Sequence, residues 1–397
     1  MASTGILNAG SGFFFWVIAA RLFTVEQVGF AAALISSLGL VLLFSRFGFD
    51  FSIIRFFALE NNERIVNTCL TVTTISCFLV GIIYILLSKF MVPSMFLHDS
   101  AIYAMTFLLI SIANSVACMT GDVFVANRKA DLYFTQNFFI VFRIVPLVPF
   151  VFLGTFGIFM SLGLGYLTAA LFGLVALRRY FVGIHFDMDL DFVRRSFRFS
   201  SSNYLASIMS AAPTLIIPIM VLNMLGEAEA AKYYIVLSIS NLVLIIPNSL
   251  GTSLFVECSH GERLGNNVLR AGAVTIALLV PAVIMLLLIG DKLLGLLKGE
   301  YVEAFGLLRL ITLSSFPIAI YSLFIPIQNV RMRVESIVML NALRCALLLG
   351  LSYMFIYQYG ILGAGYALIT TYTIVMLAIG WIMLKEGWLN SYKTPMT

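Results

Sequence analysis

The feature that most constrains this chain is a recurring apolar run of about 20 residues, the length a helix needs to cross a hydrocarbon core. Such runs fall near 3–23, 29–48, 66–88, 102–125, 133–153 and 158–177. They recur near 201–224, 231–255, 269–289, 307–327, 337–357 and 360–383, separated by polar or glycine-containing breaks. With 61% of its 397 residues hydrophobic and 11% charged, the chain lacks the polar surface of a soluble globule. The fold class is an all-α polytopic membrane protein, with twelve transmembrane helices in two pseudo-symmetric six-helix bundles.

Residues 178–200 form the longest polar interval. Arg178, Arg179, Arg194, Arg195 and Arg198 flank Asp187, Asp189 and Asp191 there, a charge density too costly for a bilayer core. The chain divides into an N-terminal bundle (1–177), a cytoplasmic connector (178–200) and a C-terminal bundle with a short cytoplasmic tail (201–397). The connector reads as a solvated amphipathic hinge whose arginines meet anionic membrane lipids. With the N-terminus in the cytoplasm, 17 of the 24 Lys and Arg residues fall on the inner side and 5 on the outer, leaving Arg21 and Arg143 within spans. The opposite orientation inverts that bias, so both termini are expected in the cytoplasm of a multi-pass cell-membrane protein. The net charge of +5 follows from this topology and needs no nucleic-acid partner. Five cysteines and three histidines show no metal-type spacing, and no Gly-rich ATPase loop is present.

The two halves stand in register. Shifting by 203 positions carries Gly48 onto Gly251, Arg128 onto Arg331 and Gly157 onto Gly360. An even number of spans per half makes this a parallel repeat, the arrangement that places a substrate path between two bundles and supports alternating access.

The segments Ala19-Ala20-Arg21-Leu22-Phe23, Val28-Gly29-Phe30-Ala31, Arg46-Phe47-Gly48-Phe49-Asp50 and Ile54-Arg55-Phe56 resemble the opening of polysaccharide (O-antigen type, Wzx-like) flippases. Those proteins belong to the multidrug/oligosaccharidyl-lipid/polysaccharide exporter superfamily. Asn223-Met224-Leu225-Gly226, Tyr233-Tyr234, Ile246-Pro247 and Ser253-Leu254-Phe255-Val256-Glu257 extend the resemblance over the second half. It implies a transporter, not an enzyme, that flips a polyprenyl-pyrophosphate-linked oligosaccharide to the outer leaflet, alongside glycan assembly proteins. Family members usually carry further residues, often basic, before the first span, whereas nothing charged precedes Arg21 here. The start is therefore expected upstream of Met1.

Candidate substrate-binding residues are Arg143, Arg46, Arg55, Arg344 and Arg21. Arg143 falls midway along the fifth run, where a lipid-facing arginine costs at least about 2.5 kcal/mol. Pro146 and Pro149 follow it, each removing a backbone donor. Its guanidinium suits a diphosphate, or else satisfies a neighbouring carbonyl or carboxylate. Arg46 and Asp50 stand four residues apart, the spacing of a helical ion pair, with Arg55 nearby as a headgroup anchor or part of a cationic funnel. Arg344, beside Asn341, is the second-half analogue, and Arg21 pairs with Glu26 or lines the outer mouth. Asp122, Asp50 and Glu257 are candidates to bind a coupling Na⁺ or H⁺; no cofactor or metal is otherwise expected. Pro213 and Pro218 in the seventh run, and Pro247 in the eighth, mark either simple kinks or broken helices lining a site. A cation-coupled multidrug exporter is the alternative from the same superfamily, and it needs deep carboxylates where this chain offers more arginine. A membrane polysaccharide polymerase or ligase is a third reading, weakened by the absence of a large external loop.

Overall fold

A computed structural model describes residues 2–57, 62–91, 100–180, 183–185, 187–259, 264–331 and 333–385. Apolar residues dominate every segment, and in a hydrocarbon environment only internally bonded backbone is tolerated, so helix is the required form. The helices are α1 (Ala2–Leu22), α2 (Val25–Ser45), α3 (Phe49–Phe56), α4 (Asn62–Met91), α5 (Ala101–Ala126), α6 (Ala130–Val141) and α7 (Thr155–Tyr180). They continue with α8 (Leu190–Leu225), α9 (Glu227–Ser259), α10 (Leu264–Gly295), α11 (Phe305–Val330), α12 (Val334–Tyr359) and α13 (Ile361–Lys385). Among the described residues there is no strand.

Ten of these helices are long and apolar enough to cross a membrane. The first expected span is α1, a 21-residue helix ending at Leu22, and the fifth differs from the others. The fifth span stops being α-helical at Val141 and continues as 3₁₀ turns at Phe142–Leu147 and Val151–Leu153. Pro146 and Pro149 cannot donate to the preceding turn, which is the physical reason the ladder ends there. By contrast α8 runs unbroken through Pro213 and Pro218, and α9 through Pro247, so those prolines do not interrupt their helices.

Contacts group the chain into two units, Met1–Ala231 and Lys232–Thr397. In the first, α5 packs on α4 and α7, and α6 packs on α7. The second repeats this internally, with α11 on α10 and α13, and α12 on α13. The corners repeat too. Lys129 (φ −90°, ψ 73°) before α6 matches Arg333 (φ −94°, ψ 67°) before α12. The Lys129 N–H bonds the Phe124 carbonyl at 2.9 Å, and the Arg333 N–H bonds the Gln328 carbonyl at 3.0 Å. Gly154 (φ 57°) before α7 matches Gly360 (φ 59°) before α13. The 203-residue shift therefore drifts: these pairs differ by 204 and 206 positions. Gly157 corresponds to Gly363, not Gly360. At both, a carbonyl, that of Phe150 or Phe355, occupies the space a Cβ would take.

The α2–α3 corner departs from the sequence reading. Instead of a helix continuing past Arg46, the chain turns through Phe47 (φ 46°) and Gly48 (φ 78°) before restarting at Phe49. A Cβ on Gly48 would lie 2.7 Å from the Ser200 Cβ, so the corner needs glycine for both conformation and space. This close approach, with a 2.6 Å hydroxyl contact between Ser52 and Ser200, docks α3 on α8. Phe49, Ile53, Ile65, Phe124, Leu177 and Phe192 bury a core at that end of the unit.

Residues 183–185 and 187–189 are docked rather than simply solvated. Asn67 Nδ2 donates to the Gly183 carbonyl (2.9 Å), the His185 N–H to Asn67 Oδ1 (3.2 Å) and the Asp189 N–H to Thr68 Oγ1 (3.1 Å). Arg64 pairs with Asp189 at 3.2 Å and Asp187 at 3.8 Å. Asp189 also caps α8 by accepting the Phe192 N–H, and that bond holds its carboxyl below the usual range. Helix α8 therefore starts at Leu190, ahead of the apolar run expected from residue 201, with Arg194, Arg195 and Arg198 on its leading turns.

Candidate functional site

The broken fifth span places Arg143 on its 3₁₀ turn. Gly165 makes room for it: a Cβ on that α7 residue would lie 2.9 Å from the Arg143 Cβ, whereas one on Gly12 of α1 would stand in ordinary contact, 3.5 Å from its Nη2. The guanidinium carbon stands 5.2 Å from the Phe15 ring centroid, a cation–π contact. Among the described residues Arg143 makes no ion pair or hydrogen bond, and its buried Nε has no partner. A charge held this way keeps open hydrogen-bonding capacity.

Arg143 lines a cavity of ≈ 580 Å³ bordered by side chains of α1, α2, α5, α6, α7 and α8, all within the first unit. Polar groups cover much of its wall. Asn8 Nδ2 donates to Asn137 Oδ1 at 2.8 Å, tying α1 to α6, and Asn137 donates to the Tyr133 carbonyl at 2.7 Å. Gln136 fixes α6 against its neighbours by donating to Thr120 Oγ1 (2.6 Å), the Ala117 carbonyl (2.9 Å) and the Ala169 carbonyl (3.2 Å). Gly173 makes that last approach possible, because a Cβ there would strike Thr120 and Gln136. Asn114, Tyr133 and Tyr166 complete the polar lining.

The second cationic group in this cavity is Arg46, at the end of α2. Its close partner is the Asp122 carboxylate on α5, while Asp50, the partner expected from spacing, stands 4.0 Å away. The corner at Phe47 and Gly48 explains the difference, since it carries Asp50 off the α2 axis. Arg46 also borders a smaller chamber of ≈ 310 Å³, lined with Asp50, Tyr204, Ser207 and Ser210. Two guanidiniums and one carboxylate therefore line the larger cavity, leaving the Arg143 charge uncompensated.

The structure thus brings Arg143, Arg46 and Asp122 together, with Asp50 at the edge. The other candidates lie elsewhere. Arg55 is exposed on α3 with its guanidinium 4.8 Å from the Phe199 ring. Arg21 is exposed in the last turn of α1, roughly 20 Å along that helix from Asn8. Arg344, in the second unit, is 7% exposed; it packs against Tyr321 and Tyr372 and donates to the Tyr372 hydroxyl at 2.9 Å. Asn341 beside it bonds the Tyr321 hydroxyl. Glu257 lies outside the residues whose side chains are described. Sequence reasoning missed the amide wall of Asn8, Asn114, Gln136 and Asn137. The available signal was amides inside apolar runs, which must find partners or water in a membrane. Among the described residues no three His, Cys, Asp or Glu side chains gather as a metal site.

This is the architecture of an all-α, multi-pass membrane protein. No family model and no curated protein matches the sequence. Solved structures do match. An inward-facing multidrug resistance MATE family transporter of the MOP superfamily superimposes with TM-score 0.75 at 12% identity, covering 98% of this chain and 96% of that one. The lipid II flippase MurJ, in an inward closed conformation, gives 0.71 at 14% identity, covering 99% and 88%. A MOP superfamily transporter from Pyrococcus furiosus gives 0.61 at 12% identity, covering 99% and 94%. At such identities the likeness is one of fold, shared over nearly the whole chain.

Proposed function

We infer that this chain is a cell-membrane transporter that carries a polyprenyl-pyrophosphate-linked oligosaccharide from the inner to the outer leaflet by alternating access, for glycan assembly proteins to use. The observation that carries the reading is Arg143, a guanidinium without a counter-charge in a cavity that mixes amides and tyrosines with apolar side chains. Holding a charge there costs folding free energy, and an oxyanion ligand offsets that cost. The planar fork of arginine fits a diphosphate through paired hydrogen bonds. Asn114 and Tyr133 in the lining can both donate to and accept from sugar hydroxyls. With both termini cytoplasmic, Arg46 and Asp122 mark the inner end of this cavity and Arg143 its depth.

One observation favours a second reading, a cation-coupled multidrug exporter. Asp122 puts a carboxylate in the same cavity, and a MATE transporter shares the fold. Its pairing with Arg46 argues against a free cation site. Transport assays on the full chain reconstituted in vesicles separate the two. Movement of a fluorescent polyprenyl-diphosphate-linked oligosaccharide, without efflux of a cationic dye, supports the flippase; dye efflux driven by a Na⁺ or H⁺ gradient, without lipid movement, overturns it.

A further inference from the structure

Arg46 differs from Arg143 in one respect that bears on how a phosphate would be bound and let go. Arg143 has no protein anion beside it, whereas Arg46 is held by Asp122 inside the cavity and approached by Asp50 from the smaller chamber at 4.0 Å. The Arg46 and Asp122 side chains are 21% and 23% exposed, so the pair is neither sealed in the core nor free in solvent. A phosphate reaching Arg46 must compete with a carboxylate that offers the same charge sign and the same two-oxygen geometry.

We propose that Asp122 is an internal counter-anion, a stand-in for the substrate's phosphate that occupies Arg46 while the cavity is empty and is displaced when a diphosphate binds. This rests on the flippase reading above. The exchange makes one guanidinium–phosphate pair and breaks one guanidinium–carboxylate pair. The freed carboxylate gains nothing from the Gln136 amide in the same cavity, whose donors are already committed to Thr120 and to the Ala117 and Ala169 carbonyls. Its recapture of Arg46 favours release of the ligand. Asp122 is thus a specificity and turnover residue: it weakens binding of any anion and penalises ligands too weakly charged to displace it. Asp50 gives Arg46 a second carboxylate whichever state the cavity is in, which keeps the guanidinium from being stranded.

The test uses the full chain in nanodiscs of zwitterionic lipid, titrated with inorganic pyrophosphate by calorimetry. Asp122→Asn should bind pyrophosphate on the order of tenfold more tightly than the wild type, the effect of removing one like charge from a partly screened site. The same variant should move lipid-linked oligosaccharide more slowly, because release is impaired. Wild-type binding that depends on Arg143, together with unchanged or weaker binding by Asp122→Asn, overturns the counter-anion role while leaving the flippase reading intact. Absence of pyrophosphate binding in both proteins overturns that reading and this inference with it. If the Asn variant does not fold, the wild type answers the question. Pyrophosphate should shift a carboxylate band in an infrared difference spectrum, and Arg46→Ala should lack the shift. No band in the wild type refutes the displacement.

Discussion

Replacing Gly165 with alanine perturbs Arg143 without touching its charge. The added Cβ would stand 2.9 Å from the Arg143 Cβ, 2.9 Å from the Ile140 carbonyl oxygen and 3.4 Å from the Arg143 backbone nitrogen. Two of these neighbours are backbone, so relief requires the fifth span to move by several tenths of an ångström. Overpacking of this kind costs about 1–3 kcal/mol. The movement should concentrate after Val141, where 3₁₀ turns and prolines replace the α-helical ladder, and Arg143 rides on that segment. We expect transport of a lipid-linked oligosaccharide by reconstituted Gly165→Ala to fall about tenfold, since sub-ångström misplacement of a binding group is costly. Folded protein should survive at slightly lower thermal stability. Gly5→Ala is the control, because nothing lies within 4 Å of its Cβ position. If Gly165 acts through Arg143, adding Gly165→Ala to Arg143→Lys should cost much less than it does in the wild type. Wild-type transport by Gly165→Ala at matched levels would refute the claim that Arg143's position matters.

Three further outcomes follow from the fold. Gly48→Ala should lower the thermal stability of the whole chain by about 1–3 kcal/mol, through positive φ and collision with Ser200; an unchanged melting curve contradicts the α2–α3 corner. The Asp189 clamp should depend on pH: its folded-state carboxyl lies below the usual range, so its contribution is full at neutral pH and is lost as pH falls through that depressed value. The stability gap between wild type and Asp189→Ala should therefore close on acidification, and a gap indifferent to pH would exclude it. Reporter fusions at Gly226 and after Lys298 should read external and one after Ser259 internal, whereas agreement between the fusions at 226 and 259 would break the topology.

Much of the architecture was legible because membrane spans write themselves in composition. Ten apolar runs became continuous helices, with boundaries displaced mainly where amphipathic turns extend beyond the hydrocarbon-length window, as at α8. Arg143 was legible for the same reason, since one charge amid twenty apolar residues has few explanations. What escaped was local backbone geometry. Pro146 and Pro149 unwind the fifth span while Pro213 and Pro218 leave α8 intact. Whether freed carbonyls find partners is decided by neighbouring helices, which a single sequence does not display. The corner at Phe47 was hidden inside an apolar run. The four-residue spacing of Arg46 and Asp50 therefore suggested a helical pair, where tertiary packing instead selected Asp122. Arg344 looked like Arg143 in sequence, yet two tyrosines from other helices enclose it. The amide wall was readable only as isolated Asn and Gln residues until α1, α5 and α6 converged.

The central claim is that Arg143 holds the phosphate of the substrate. Transport of a polyprenyl-diphosphate-linked oligosaccharide by vesicles containing equal amounts of folded wild type, Arg143→Lys, Arg143→Gln or Arg143→Ala tests it most directly. The lysine variant keeps the charge but loses the fork, so partial transport is expected; the glutamine and alanine variants should be inactive. Full transport by Arg143→Ala at matched folded protein would contradict the account.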